Sequence, residues 1–353
     1  MHTGSQLLDA ELNEILAFLG KDLGCLRGKK LFITGGTGFI GRWLLETLNF
    51  ANRVADLNVV ASVLTRNPRK IAESASHLFD SNKLQLIEGD IRNFDFPAGE
   101  FDCIIHAAAD SSAASGSNDP VTVLETSVVG TRRILEFARK CSAENMLFLS
   151  SGAVYGKQPP EMDYLPETYA GTPDIYDLKS AYGQGKRISE TLCAAYAEQF
   201  KINIKIARCF ALIGPFLPLN GHFAAGNFIR DAVAGKPVCI NGDGTTVRSY
   251  LYASDLVGWL FKILLHGQKA YPYNVGSMEA ISIRQFAEIV SSQVQPVVSV
   301  CIAKKPDSGI MPDRYVPDTS RVRNELKLRQ QTDLHEAVAR TIRWYQNLLL
   351  AGE

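Results

Sequence analysis

Tyr182 and Lys186 stand four residues apart, a spacing that could support proton chemistry. On a helix, residues i and i+4 share one face, so the lysine ammonium would lie beside the phenol. A nearby positive charge favours the phenolate, and we expect it to lower the pKa of Tyr182 from about 10 toward neutrality. Such a tyrosine could exchange a proton with a carbinol while a nicotinamide carries the hydride. Because Tyr-x-x-x-Lys also occurs in helices by chance, other motifs must support this interpretation.

A serine at the end of a predicted strand gives that support. Residues 149–156 read Leu-Ser-Ser-Gly-Ala-Val-Tyr-Gly, and Ser151 directly follows the apolar run Asn145–Ser150. Open parallel sheets bind ligands beyond the carboxyl ends of their strands, so the Ser151 hydroxyl could hold the substrate oxygen. Two histidines are further candidates for the site. His106, on another predicted strand, is expected to pack rather than act as a base, and His222, in a glycine-rich loop, could reach a substrate.

A glycine-rich loop follows the first predicted strand. Residues 34–41 read Thr-Gly-Gly-Thr-Gly-Phe-Ile-Gly and lead into a helical stretch, Arg42–Asn49. The early glycines permit a tight turn, Gly38 lets the backbone approach a pyrophosphate, and Gly41 lets helix and strand pack closely. The free N–H groups at a helix N-terminus also favour phosphate. A purely structural turn is the alternative, but the strand–loop–helix order predicts a dinucleotide site that includes Gly35, Gly38, Phe39, Ile40 and Gly41.

The second predicted strand ends without the acid that would bind the ribose of NAD. Residues 63–70 read Val-Leu-Thr-Arg-Asn-Pro-Arg-Lys, with three cations. A guanidinium can meet the 2′-phosphate of NADP with two hydrogen bonds, so Arg66 favours NADP(H) over NAD. Asn67 or Arg69 could take that place instead, and a solvated loop is the alternative without a ligand. Further cofactor contacts are predicted after the third and fourth strands, at Asp90, Ile91, Ala107 and Ala108.

The elements that must position these residues alternate between strands and helices. Apolar runs of four to eight residues predict six strands, at Lys30–Thr34, Asn58–Leu64, Leu84–Glu88, Asp102–His106, Asn145–Ser150 and Ile202–Ala207. This alternation predicts an α/β fold with a Rossmann-type, doubly wound parallel sheet. Beyond residue 210 the chain is richer in Pro and Gly, which favours a smaller C-terminal α/β lobe. The predicted division is an N-terminal helical extension (1–27, helix over 6–19), a dinucleotide-binding domain (28–210) and mainly a substrate-binding lobe (211–353), with interleaving segments allowed.

The composition limits the classes of function. With 46% hydrophobic and 21% charged residues in a chain of 353, the protein can bury a sizeable core. Its 37 basic residues balance 37 acidic ones, which argues against coating nucleic acid or a membrane. No apolar run predicts a transmembrane helix, and the N-terminus lacks signal-peptide features. Seven cysteines without a Cys-x-x-Cys pair argue against a disulfide framework or a metal site and favour the cytoplasm.

Together these motifs resemble the extended short-chain dehydrogenase/reductase family, in its nucleotide-sugar epimerase, dehydratase and reductase branch. The resemblance spans about residues 28–346. In the first part of the chain it rests on TGGTGFIG, HAAA at 106–109, SSGAVYG at 150–156 and YGQGK at 182–186. In the later part it rests on Arg208, Gly214-Pro215 and NGDGTTVRSYLYASDL at 241–256. This later set separates enzymes acting on sugar nucleotides from relatives acting on steroids or flavonoids.

The resemblance implies roles for individual residues. Tyr182 would transfer the proton, Lys186 would bind the ribose, and Ser151 would hold the substrate. Arg248 matches the arginine that contacts the diphosphate of a nucleoside-diphosphate sugar, and Asn227 falls near a diphosphate-binding asparagine. The family also implies a homodimer.

Two departures from the family pattern narrow the reaction. Dehydratases of the family carry an acid directly after the Ser/Thr, whereas this chain has Gly152 and Ala153. Dehydration is therefore not expected. Decarboxylation that relies on a glutamate at the same place is not expected either. Ser127 stands where the family more often has asparagine. The leading hypothesis is 4-keto reduction or 4-epimerisation of a nucleoside-diphosphate sugar with NAD(P); the alternatives are a reductase of a non-nucleotide carbonyl and a non-catalytic NAD(P)-sensing protein.

Overall fold

The computed structural model describes residues 3–109, 119–221, 223–307, 309 and 311–351, so the candidate His222 lies outside the described residues. Its strands, numbered along the chain, are β1 (Lys30–Thr34), β2 (Val60–Thr65), β3 (Leu84–Glu88), β4 (Cys103–His106), β5 (Asn145–Ser151), β6 (Asn203–Cys209), β7 (Leu212–Ile213), β8 (Val238–Ile240), β9 (Val247–Arg248), β10 (Leu251–Tyr252), β11 (Pro272–Val275), β12 (Ile281–Ser282), β13 (Val300–Ile302) and β14 (Arg314–Tyr315). Its α-helices are α1 (Thr3–Leu19), α2 (Phe39–Ala55), α3 (Pro68–Ser74), α4 (Pro120–Lys140), α5 (Ala181–Phe200), α6 (Ala224–Val233), α7 (Ala253–His266), α8 (Ile283–Ser292), α9 (Ser320–Glu325) and α10 (Leu334–Ala351).

Seven strands form the central sheet in the order β3-β2-β1-β4-β5-β6-β11. Every pairing in it is parallel, and Ile33 of β1 lies between Val63 of β2 and Ile105 of β4. The strand order reverses between β1 and β4, which is the arrangement of a Rossmann fold. The prediction of a doubly wound α/β fold is confirmed. The bounds of β1 and β3 coincide with the prediction, and those of the other four predicted strands differ by one or two residues. Strand β2, for example, begins at Val60 because Asn58 has a φ of +55°.

Hydrophobic packing covers both faces of this sheet. Successive residues of a strand point to opposite faces, so neighbouring side chains belong to different cores. Ile33 and Leu147 pack on one face with helices α1, α2 and α7, while Phe32 and Phe148 pack on the other with α4 and α5. This is why the predicted strands are apolar at nearly every position rather than at alternate ones.

The later part of the chain contributes to two layers. A separate core is formed by α6, α8, β8 and α10 around Phe286, which is fully buried. Small sheets with the orders β12-β9-β14, β13-β8 and β10-β7 surround this core. However, α7 packs on the central sheet and β11 extends it beside β6. Residues 253–275 therefore return to the first layer although they follow the first residues of the lobe.

The N-terminal helix α1 packs along α2, α7 and α10. Leu12 and Ile15 are buried in the main core. The Tyr252 hydroxyl donates to a Glu11 carboxylate oxygen at 2.6 Å, and burial raises the pKa of Glu11 to about 7. An ion pair of 2.7 Å joins Arg340 to Glu14 on the outer side. Across the ranges described, the structure contains no helix with the length and apolar character of a membrane span.

Candidate active site

The glycine loop between β1 and α2 leaves room for a phosphate group. Gly35 has a φ of +72°, and a Cβ there would lie 2.5 Å from the carbonyl carbon of Ala107. A Cβ at Gly41 would lie 2.1 Å from the Gly35 oxygen, so a larger residue would push the helix off the loop. At Gly38 the same oxygen, at 3.4 Å, is the nearest described atom that a Cβ would meet. This cradle at the N-terminus of α2 fits a dinucleotide pyrophosphate.

The cradle opens into a cavity of about 3340 Å³ at the carboxyl ends of β1 and β4. That volume exceeds the roughly 300–1,000 Å³ of a pocket for one small ligand, so a dinucleotide and a second ligand can share it. We call residues 34–41 with Ala107 and Ala108 the glycine-loop end, and Asn227, Arg248 and Tyr315 the Arg248 end. Every residue predicted for the site lines this cavity: Gly35, Gly38, Phe39, Ile40, Gly41, Arg66, Asp90, Ile91, Ala107, Ala108, Ser151, Tyr182, Lys186, Asn227 and Arg248.

The segment after β2 presents cations at the rim of the cavity. Arg66 is exposed there, and Asn67 caps α3 by accepting a hydrogen bond from the Lys70 backbone at 3.1 Å. Beyond β3, Arg92 donates to both carboxylate oxygens of Asp90, at 2.9 and 3.0 Å, and this contact lowers the pKa of Asp90. In the described parts of the chain Arg66 has no ion-pair partner within 4 Å. Its guanidinium therefore remains available to an anion.

Tyr182 and Lys186 lie in the first turns of α5, against the carboxyl end of β5. Lys186 is 3% exposed, and its Nζ donates to the Leu149 carbonyl oxygen at 2.7 Å. The same nitrogen lies 4.8 Å from the centre of the Phe148 ring and 5.9 Å from that of Tyr182. The side chain of Ser151 lies beside the phenol of Tyr182, and both line the cavity. The structure thus brings the three predicted catalytic residues together.

The expected depression of the tyrosine pKa is wrong. Protein atoms crowd the phenol, and this burial raises the pKa of Tyr182 to about 12. Burial also lowers the pKa of Lys186 to about 8, because the ammonium is removed from water. The lysine donates to the Leu149 carbonyl rather than to the phenol, so proximity along the helix overstated its effect. Tyr182 is therefore protonated at neutral pH.

Arg248, on β9, is a cation without a carboxylate partner. It is half-buried, donates to the Val247 carbonyl oxygen at 2.9 Å, and forms no ion pair with any described residue. Burial lowers the pKa of Arg248, since its charge has lost water without gaining an acid. Asn227 of α6 lines the same cavity and accepts a hydrogen bond from Arg230 at 3.0 Å. A guanidinium with free donors is suited to a phosphate.

The sequence analysis missed a second phenol in the site, Tyr315 of β14. Its ring centre lies 4.6 Å from that of Phe210, and its hydroxyl lies beside the side chain of Ser151. The guanidinium carbon of Arg248 lies 5.8 Å from the centre of the Tyr315 ring. Tyr315 therefore connects the catalytic residues with the Arg248 end. A Cβ at Gly152 would come 2.5 Å from the Tyr315 hydroxyl oxygen. No sequence signal could have found it, because β14 is two residues long and carries no motif.

Comparison with known proteins decides the family. The pattern of the NAD dependent epimerase/dehydratase family matches residues 31–276, well over half of the chain. The chain belongs to this family. The resemblance to the extended short-chain dehydrogenase/reductases is therefore confirmed, as is the prediction of an enzyme that uses a nicotinamide dinucleotide.

The proteins similar to this chain catalyse different reactions on nucleotide sugars. UDP-glucuronic acid decarboxylase 1 of Arabidopsis thaliana is 30% identical over 321 residues, which cover 91% of this chain and 71% of the relative. The UDP-N-acetylglucosamine 4-epimerase of Methanobrevibacter ruminantium has a TM-score of 0.78 at 20% identity, covering 91% of this chain and 99% of that one. A dTDP-glucose 4,6-dehydratase of Streptomyces venezuelae, solved with NAD bound, has a TM-score of 0.75 at 24% identity, covering 90% and 97%. The two structures show the shared fold.

Within this epimerase/dehydratase fold, a buried polar network supports the floor of the site. Arg208 donates to a Glu190 carboxylate oxygen at 2.6 Å and to the Tyr155 hydroxyl at 2.8 Å, and Tyr155 donates to Asn274 at 2.7 Å. These contacts tie α5 to strands β6 and β11. Arg208, a motif residue, thus forms a structural ion pair with Glu190 beside Ser150, the residue before Ser151.

Two further motif residues of the epimerase/dehydratase pattern are structural. His106 is buried between the hydroxyls of Thr34 and Thr131, at 2.8 and 3.1 Å, and burial lowers its pKa to about 3. It is neutral at physiological pH and packs as expected. Ser127, at the position where the family more often has asparagine, is buried on α4. A Cβ added at Gly185 of α5 would lie only 2.7 Å from the Ser127 Cβ. Ser127 serves there to pack α4 closely against α5.

Proposed function

We propose that the protein is an NAD(P)-dependent enzyme acting on a nucleoside-diphosphate sugar, by 4-keto reduction or 4-epimerisation. One observation carries the proposal: a single cavity holds a protonated Tyr182 beside Ser151 and, across Tyr315, the cation Arg248, which has no ion-pair partner in the described part of the chain. The first pair suits a carbinol or ketone oxygen, and the cation suits a diphosphate.

The chain's own groups account for the proton transfer. When bound, a nicotinamide supplies or accepts the hydride. Because the pKa of Tyr182 is about 12, its hydroxyl holds a proton at neutral pH and can donate it to a ketone oxygen as that oxygen gains charge. Ser151 lies beside the same phenol and can orient the reacting oxygen. A protonated tyrosine is the form that the reductive step requires, and this step is common to reduction and epimerisation.

The position beside Ser151 argues against elimination and decarboxylation. Gly152 and Ala153 carry no carboxyl group, and the hydroxyl of Tyr315 occupies the space that a side chain at residue 152 would need. Burial raises the pKa of Tyr315, so this phenol is a neutral hydrogen-bond donor rather than a base. A non-nucleotide carbonyl substrate is disfavoured as well, since it would leave Arg248 half-buried and unpaired.

Arg66 supports a preference for NADP(H) within the NAD-dependent family. Its guanidinium lies at the cavity rim without an ion-pair partner among the described residues. A 2′-phosphate brings nearly two negative charges, which a guanidinium can meet with two hydrogen bonds. The negative charge of Asp90 would repel that phosphate, but the ion pair with Arg92 already neutralises the Asp90 carboxylate.

A homodimer is proposed through helices α4 and α5. Val129 and Ile188, each 45% exposed, leave apolar surface on these two packed helices. Burying that surface against a second copy would remove it from water and give a two-fold interface. Light scattering after size exclusion should give the mass of a dimer for the wild type and of a monomer for Val129→Glu. A monomeric wild type would contradict the assignment.

The decisive experiment distinguishes the reactions by whether the dinucleotide is consumed or regenerated in each turnover. The purified protein is incubated with NADPH and a nucleotide-linked 4-keto sugar, and separately with NAD and UDP-glucose, UDP-N-acetylglucosamine or UDP-glucuronic acid. Consumption of NADPH with formation of a 4-hydroxy sugar means reduction, and a 4-epimer without net cofactor change means epimerisation. Release of CO₂ from UDP-glucuronic acid, or turnover confined to carbonyls without a nucleotide, would overturn the proposal.

A further inference from the structure

Two cysteines far apart in the sequence are neighbours in the small parallel sheet of the second lobe. Cys239 is the middle residue of β8, and Cys301 is the middle residue of β13. The strands pair in parallel with Cys239 directly opposite Cys301. Backbone hydrogen bonds on both sides of the pair, from Val238 to Ser299 and from Ala303 to Ile240, both at 2.9 Å, hold this register.

Both side chains point to the same outer face. Val238 and Ile240 are buried at 0% and 4% exposure in the core of the lobe, so the alternation of a strand directs Cys239 outward. Cys239 and Cys301 are exposed, and both carry free thiols. The Cys301 side chain beside it raises the pKa of Cys239. Reagents in solution can therefore reach two thiols that are neighbours across the strand pair.

The backbone spacing suits a covalent bond between them. Neighbouring strands lie about 4.7–4.9 Å apart, and disulfides join Cα atoms about 4.4–6.8 Å apart. An in-register pair on neighbouring strands falls inside this window of Cα distances.

We propose that Cys239 and Cys301 form an exposed dithiol, which small-molecule disulfides of the glutathione type oxidise to an intramolecular disulfide. One thiolate attacks the small disulfide, forms a mixed disulfide and releases one small thiol. The second thiolate then displaces the other small thiol and closes the Cys239–Cys301 bond. Two protein thiols are oxidised and one small disulfide is reduced to two thiols, so electrons and protons balance.

The site lies where the modification can affect the cavity. Cys239 itself lines the cavity, and β8 leads directly into Asn241 and Gly242, which line it too. The Lys304 backbone donates to the Gly242 carbonyl oxygen at 3.2 Å, so the ladder between the strands continues past the cysteines. A bond between Cys239 and Cys301 fixes one wall of the Arg248 end to β13.

The experiment equilibrates the 353-residue protein with reduced and oxidised glutathione in graded ratios, alkylates the remaining thiols and maps the peptides by mass spectrometry. The expected result is a Cys239–Cys301 cross-linked peptide that has lost two hydrogens and is reversed by dithiothreitol. Cys25, which is also exposed, is the internal control and should gain a glutathione instead.

Variants make the result unambiguous. In Cys301→Ser, Cys239 has lost its resolving partner and should retain a glutathione, and Cys239→Ser should have the same effect on Cys301. The proposal is overturned if wild-type Cys239 and Cys301 each carry a separate glutathione. It is equally overturned if both remain alkylatable at every ratio at which Cys25 is modified.

Discussion

The glycine-loop end and the Arg248 end of the cavity are built in different ways. The glycine-loop end depends mainly on one continuous segment, residues 34–41, which lines the cavity. This segment follows β1, a strand that pairs over five residues with β2. The Arg248 end depends on side chains from α6, β9 and β14, and the ladders beside β9 are two residues long. Binding through backbone geometry thus leaves a motif in the sequence. Binding through separate side chains does not.

The difference extends to what a substitution should do. A side chain added in the glycine loop meets backbone atoms that cannot move without disturbing the sheet, such as the Ala107 carbonyl. At the Arg248 end, truncation removes a contact to ligand and leaves the short ladders intact. Substitutions at the two ends should therefore separate binding of the dinucleotide from binding of the sugar nucleotide.

The largest effect is expected at the junction of the two ends, for Tyr182→Phe. This change removes the proton donor without altering ring packing, so kcat should fall by about 10²–10⁴-fold. Dinucleotide Kd, measured by calorimetry, should stay within about twofold, because the glycine loop is untouched. Turnover like that of the wild type would refute the role of Tyr182.

Lys186→Met is the companion to that variant. It leaves the phenol in place but loses the proposed ribose contact, so it should weaken dinucleotide binding as well as turnover. An unchanged dinucleotide Kd would remove Lys186 from the cofactor site.

Gly152→Ala tests whether the second lobe reaches the catalytic residues. The new Cβ would lie 2.5 Å from the Tyr315 hydroxyl oxygen and 2.6 Å from a Phe210 ring atom, so these rings must shift. Displacing groups by about 1 Å can cost up to about 100-fold in turnover. Dinucleotide affinity should not change. The matched control is Gly24→Ala, where a Cβ meets no described atom within 4 Å; equal kinetics in wild type and Gly152→Ala would separate Tyr315 from catalysis.

Arg248→Ala should weaken binding at one end of the cavity only. Loss of charge-assisted hydrogen bonds to a diphosphate is expected to raise the Kd of UDP by about 10–100-fold, with dinucleotide Kd unchanged. Calorimetry with UDP measures it. Arg284→Ala is the control, because Arg284 is an exposed arginine paired with Glu288 on α8. Similar UDP titrations for wild type and Arg248→Ala would place this arginine outside the site.

Arg66→Ala should have the smallest effect, since the guanidinium is exposed and its charge is screened by salt. We expect NADPH affinity to fall about tenfold or less and NADH affinity to stay constant. Binding of both cofactors to both proteins, followed by fluorescence, checks this. A wild-type preference for NADH, or undiminished NADPH affinity in the variant, contradicts the assignment of Arg66 to the 2′-phosphate.

Features with a local cause were readable in the sequence. The apolar runs predicted six strands within two residues, since a strand buried on both faces must be apolar throughout. The glycines of residues 34–41 were readable because a φ of +72° at Gly35 and the close approach at Gly41 exclude other residues. Ser151, Tyr182 and Lys186 were found because the ends of consecutive elements meet at one edge of a parallel sheet.

Features that depend on packing between distant segments were decided only by the tertiary structure. It placed β11 beside β6, set Tyr315 against Gly152, and paired Cys239 with Cys301. It also reversed the expected pKa shift of Tyr182, because spacing along a helix gives the distance to a charge but not the loss of water around both groups. The sequence determined which residues could do the chemistry, and the packing around them determined the protonation state in which they would begin it.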